Sequence, residues 1–174
     1  MADDYGGLLG AFPYAFRASD SWLFRSYVLC GGLLAVAVGF LFLAAVVSVI
    51  AATTGGRGGS LTLSRSFFAV VGLLVVAPLV APVLFVARRH RRRESRTDGQ
   101  YDAALAAAGY LFVASLYVGL VVSVPPAQQT TPVGVLAPVV ATLYALPQVA
   151  GVGPPLLAAV VVYAVHRWLE RGDG

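Results

Sequence analysis

Long apolar stretches separated by short polar runs set the pattern of this chain. Val28 to Ala52 carries no charge over 25 residues. At 1.5 Å per helical residue it reaches roughly 37 Å, enough to cross a hydrocarbon core of about 30 Å. Phe67 to Ala87 forms a second uncharged run, with Pro78 and Pro82 one helical turn apart. Each proline removes a backbone donor and crowds the turn before it, which predicts a kink near residues 74–82. Ala103 to Val124 is the third run, stopped by Pro125 and Pro126. Val133 to Val165 is also uncharged, yet as one helix it would measure roughly 50 Å, too long for one crossing. Pro138, Pro147, Gly151, Gly153, Pro154 and Pro155 are the available breakers. The pattern therefore predicts four spans, at about 28–52, 67–87, 103–124 and 149–168. An additional apolar outer-leaflet segment, 133–146, precedes the last one as an interfacial helix, the upper part of a broken span or a re-entrant half-helix.

Composition agrees with lipid as the main solvent: 59% of residues are hydrophobic, 11% are charged, and the mean hydropathy is +0.82. The predicted fold class is an all-α integral membrane bundle of four transmembrane helices. An interfacial segment, 1–27, precedes it, and a short polar tail, 169–174, follows. All 12 basic residues are arginine, and half of them fall between Arg88 and Arg96. A pI of about 9.6 in such a chain marks a membrane flank and not a nucleic-acid surface. Basic loops stay in the cytoplasm, so the loop 88–102 is expected there, along with both termini, in a multi-pass protein of the cell membrane. The glycine loop Gly55–Gly59 and the proline-rich stretch after Val124 then fall outside.

Before the first span, Phe12, Tyr14, Phe16, Trp22, Phe24 and Tyr27 interleave with Arg17 and Arg25. Such residues favour the headgroup level, where rings are half buried and guanidinium groups reach phosphate. Ser19 or Asp20 is placed to cap a helix that runs on into the membrane. The run Gly10 to Tyr27, Thr62-Leu63-Ser64-Arg65 and the Arg88 to Arg93 cluster together resemble small hypothetical membrane proteins of halophilic archaea. That family has no assigned activity, so the resemblance implies a source and no chemistry.

Two sets of residues stand out as candidate contacts. Arg88, Arg89, Arg91, Arg92, Arg93 and Arg96 can meet anionic lipid headgroups, at about 1 kcal/mol per basic residue. Small residues recur every four positions at Gly31, Ala35 and Gly39 and again at Ser115, Gly119 and Ser123. That spacing keeps each set on one helix face, where backbones can approach closely, within the chain or between copies.

Catalysis has little to draw on. Apart from His166 and Arg167 at the cytoplasmic end of the last one, no Asp, Glu, Lys, Arg or His lies inside any expected span, whereas proton relays and intramembrane hydrolysis need such groups facing the interior. His90 and His166 sit among arginines, with no ligand at metal-binding spacing. Neither a metal site nor a cofactor site is expected, and Ser115, Tyr117 and Gln148 are the polar groups at depth that stand out. The expected function is that of a non-catalytic membrane protein, a small subunit or scaffold that associates with itself or with another membrane protein in the bilayer. The alternative is a channel or carrier component for a small or uncharged solute.

Overall fold

The structure, a computed structural model, describes residues 7–52, 59–92 and 99–171. Arg93, Arg96, the glycine loop from Gly55 to Gly58 and the end of the polar tail lie outside the described residues. Among the described residues, six α-helices carry the fold: α1 (Gly7–Ala18), α2 (Trp22–Ala52), α3 (Gly59–Arg92), α4 (Gly99–Val122), α5 (Ala137–Tyr144) and α6 (Gly153–Arg171). Short 3-10 turns at Pro126–Gln128 and Gln148–Val152 join α4, α5 and α6, and no strand occurs among the described residues. Among the described residues, four helices are long and apolar enough to cross a membrane: α2, α3, α4, and α6 together with the turn before it. The chain is an all-α bundle with the architecture of a multi-pass membrane protein.

Two layers of core fix the register. Phe24, Tyr27 and Val28 of α2 pack with Val83, Val86 and Ala87 of α3 and with Tyr101, Leu105 and Ala106 of α4. Further along, Ala35 of α2, Leu79 and Val80 of α3, Ala108 and Phe112 of α4, and Ala158 and Val162 of α6 form a second cluster. Residue numbers rise along α2 and α4 while they fall along α3 and α6, so consecutive membrane helices run antiparallel. The start of α2, the end of α3, the start of α4 and the end of α6 therefore gather at one end, called here the basic end because it carries Arg88–Arg92.

Helices overrun the apolar stretches at this end, which corrects the expected boundaries. The stretch expected as a loop over 88–102 is helical at 88–92 and again at 99–102. Hydrogen bonding along a helix does not stop where lipid does, and arginine is a good helix former. α2 begins at Trp22, six residues before its uncharged run, because Ser21 caps it: the Ser21 hydroxyl accepts from the Phe24 amide at 3.3 Å. Ser19 plays a different part, accepting from the Ser21 amide at 3.2 Å in the turn between α1 and α2. Pro78 and Pro82 both lie within α3, which continues through them.

The aromatic N-terminal segment is also more than a surface anchor. α1 lies across the basic end with Ala11 and Ala15 buried against the core, and Phe12, Tyr14 and Phe16 packed beside them. Phe24 and Tyr27, expected at the headgroup level, are fully buried. The Tyr27 hydroxyl donates to the Leu79 carbonyl at 2.7 Å, in the turn between the two prolines of α3. Its polar tip finds protein in place of water, which is what allows a tyrosine to enter the core. Trp22 stays outside, 81% exposed.

Away from the basic end, α2 and α3 lean on each other. No residue of α2 after Ala35 is buried, although Phe42 does lie against Gly72. α4, by contrast, is buried as far as Val122. Between α4 and α6, the segment 133–146 forms the eight-residue α5, which contacts α4 and buries none of its own residues. Ala145, Leu146 and Pro147 and the 3-10 turn after them separate α5 from α6, so it is not a continuous extension of the last helix.

Candidate functional site

Ionisable side chains from three helices converge at the basic end. Asp102, in the first turn of α4, is 1% exposed, and its Oδ2 lies 3.0 Å from His90 Nε2 near the end of α3. Its other oxygen, Oδ1, is buried with no hydrogen-bond partner among the described residues. One residue earlier, the Tyr101 ring carries the Arg89 guanidinium over its face, 3.8 Å from the centroid. Cation and ring quadrupole attract in that geometry, and the more so where water is excluded.

Tyr101 also reaches α6. Its hydroxyl stands 2.8 Å from His166 Nδ1. When Nδ1 accepts from the tyrosine, the ring proton is on Nε2, which faces Glu170 at 3.6 Å. The imidazole lies flat on Phe85 of α3, with centroids 3.9 Å apart and planes 1° from parallel. Arg167 approaches the second Glu170 oxygen at 4.0 Å. α3 is thus tied to α4 by His90–Asp102 and Arg89–Tyr101, α4 to α6 by Tyr101–His166, and α6 back to α3 by the ring stack. A cavity of about 170 Å³ opens beside this triangle, lined by Phe85, Arg88, Arg89 and Arg92 of α3 and by His166 and Glu170 of α6.

Such a constellation can hold an anion and can pin three helix ends in register. Among the described residues, no three His, Cys, Asp or Glu side chains come together as a metal site would need. The expectation that His90 and His166 merely sit among arginines is corrected: each has a specific partner on another helix. Twelve residues and a chain reversal separate His90 from Asp102, so ligand spacing along the sequence does not reveal the pair. A weaker signal was present. Asp102 stands three, four and seven positions before Leu105, Ala106 and Gly109, on the face of α4 that the core buries.

Arg88, Arg89 and Arg92 line the cavity, whereas Arg91 is exposed and does not. In the α4 ladder, the Ser115 hydroxyl turns back to its own helix, donating to the Phe112 carbonyl at 2.6 Å. A Cβ on Gly119 would stand 2.5 Å from the Gly151 carbonyl oxygen, and Ser123 Oγ lies 3.5 Å from the Gln148 carbonyl. Gly119 and Ser123 thus sit where the last turn of α4 meets the 3-10 turn before α6. In the α2 ladder, Gly31 faces the Tyr27 ring of its own helix, Ala35 is in the core, and a Cβ on Gly39 would meet nothing within 4 Å. Tyr117 is exposed, and so is Gln148.

Four apolar helices closed at one end by a charged and aromatic triangle define a small multi-pass membrane protein. The chain belongs to a family described as Domain of unknown function (DUF8056), which matches residues 1–170. No curated protein and no solved structure matches it.

Proposed function

We propose that this protein is a non-catalytic membrane subunit or scaffold, with both termini and the basic end in the cytoplasm, that associates with a second copy or with another membrane protein through its α2–α3 hairpin. The observation that carries this reading is the mismatch between the hairpin and the rest of the bundle. α2 has 31 residues and α4 has 24, which at 1.5 Å per residue gives roughly 46 Å against roughly 36 Å. The excess falls on the part of α2 that has no fully buried residue, where Phe40, Leu43 and Val47 face outward. A helix longer than the hydrocarbon core must tilt, thicken the bilayer or associate, and each carries a free-energy cost that a protein neighbour can relieve. The cytoplasmic assignment is supported by the arginine distribution, since none lies between Arg96 and Arg167. A halophilic archaeal source is supported by the resemblance in the arginine and aromatic flanks.

Mild-detergent purification with in-membrane crosslinking from Val47→Cys in a Cys30→Ser background tests the association. A crosslinked dimer or a specific membrane partner is expected. A monomer that captures nothing at this position, or solute flux through liposomes carrying the purified chain, would overturn the reading, the second outcome in favour of a carrier.

A further inference from the structure

We infer that the cavity between the ends of α3 and α6 binds the phosphodiester of an anionic phospholipid whose headgroup carries hydroxyls, phosphoglycerol being the simplest case. Three arginines line it against one carboxylate, so the formal balance favours an anion. Arg88 and Arg92 are one helical turn apart and share a face, with Arg89 beside them. Guanidinium groups meet phosphate oxygens through paired hydrogen bonds, a geometry that a lysine cannot reproduce. The floor is already held in place, since Phe85 and His166 are stacked and the Tyr101 hydroxyl meets His166 Nδ1 at the ring edge. At about 170 Å³ the space fits a headgroup fragment and leaves the acyl chains to lie along the bundle.

Depth supports a lipid over a free ion. Both tryptophans of the chain, Trp22 and Trp168, lie at this end and are exposed, at 81% and 75%. Exposed tryptophan collects at the membrane–water interface, so the cavity opens at headgroup level. Glu170 sets the choice among headgroups. A carboxylate on the rim accepts hydrogen bonds from glycerol hydroxyls and finds no donor on choline. The inference requires only membrane insertion and holds whether or not the α2–α3 hairpin has a protein neighbour.

Native mass spectrometry of the full chain in mild detergent, with phosphatidylglycerol, phosphatidylserine or phosphatidylcholine added, provides the test. Phosphatidylglycerol should be retained most tightly, and Arg88→Gln with Arg92→Gln should weaken it about tenfold or more. Arg91→Gln with Arg171→Gln removes the same charge outside the cavity and should change retention less than about threefold. Glu170→Gln should narrow the preference for phosphatidylglycerol over phosphatidylcholine. Should the first double variant fail to fold, Arg92→Gln alone, at an exposed position, serves in its place. Equal losses in the two double variants, equal retention of phosphatidylglycerol and phosphatidylcholine, or displacement of the lipid by millimolar inorganic phosphate would each overturn the inference, the last by assigning the cavity to a free anion.

Discussion

Tyr27 of α2 lies across the backbone of Gly109 in α4, so close that a Cβ on that glycine would overlap the phenol ring. The same ring meets Tyr110 edge to face at 5.2 Å between centroids, and the Tyr110 hydroxyl lies 2.9 Å from Ser26 Oγ. α2, α3 and α4 are therefore joined at a single residue, whose hydroxyl bonds α3 while its ring occupies the gap left by the missing side chain of α4. Without a hydrophobic driving force between helices in lipid, close packing of this kind and interhelical hydrogen bonds supply the association.

Gly109→Ala should accordingly destabilise the bundle by about 1–3 kcal/mol, the usual range for overpacking a filled core. Gly39→Ala, where a Cβ meets nothing within 4 Å, should leave stability within about 0.5 kcal/mol. Apparent melting temperatures in one mild detergent compare the two directly. A Gly109 variant as stable as the Gly39 variant would mean that Tyr27 does not fill this gap.

His90 and Asp102 form a mostly buried pair, so removing one partner strands the other. His90→Ala is expected to cost about 3 kcal/mol or more, whereas His90→Leu combined with Asp102→Leu should cost clearly less, because no unpaired charge then remains buried. A double-mutant cycle on the melting data measures the coupling. Additive effects would show that the two side chains do not interact.

The joint between α4 and α6 offers a third test. A side chain on Gly151 would run into the Gly119 carbonyl and Ser123, so Gly151→Ala should push the turn before α6 away from α4. Loss of about 1–3 kcal/mol is expected. A larger residue, as in Gly151→Val, should cost more. If both variants melted as the parent does, the close approach of α4 to this turn would be refuted.

The sequence made the bundle legible because each crossing needs an uncharged stretch of a length the bilayer dictates, and four such stretches are present. Helix ends were less legible. Ser21 begins α2 through one hydroxyl contact, and α3 continues past Arg88, and neither event leaves a mark in hydropathy. The small-residue ladder of α4 pointed at Gly119 and Ser123, which the structure places against the turn before α6. The same spacing in α2 includes Gly39, where nothing packs, because a four-residue repeat in a sequence rich in Ala and Gly carries little information about partners. The cluster at the basic end was the least legible part. Asp102 and His90 look like ordinary membrane flanks until the chain reversal between α3 and α4 brings them face to face. Tyr27 looks like an interfacial ring in the sequence because its partner, the Leu79 carbonyl, is a backbone atom 52 residues away.

The proposed topology has the apolar helices crossing the membrane an even number of times, with the charged triangle on the cytoplasmic side. Single cysteines at Gln100, Thr131 and Arg171, each in a Cys30→Ser background, test it by labelling sealed vesicles of known orientation with a membrane-impermeant maleimide. Gln100 and Arg171 should react only from the cytoplasmic face and Thr131 only from the opposite face. Labelling of Thr131 from the same side as Gln100, or of Gln100 and Arg171 from opposite sides, would contradict the account.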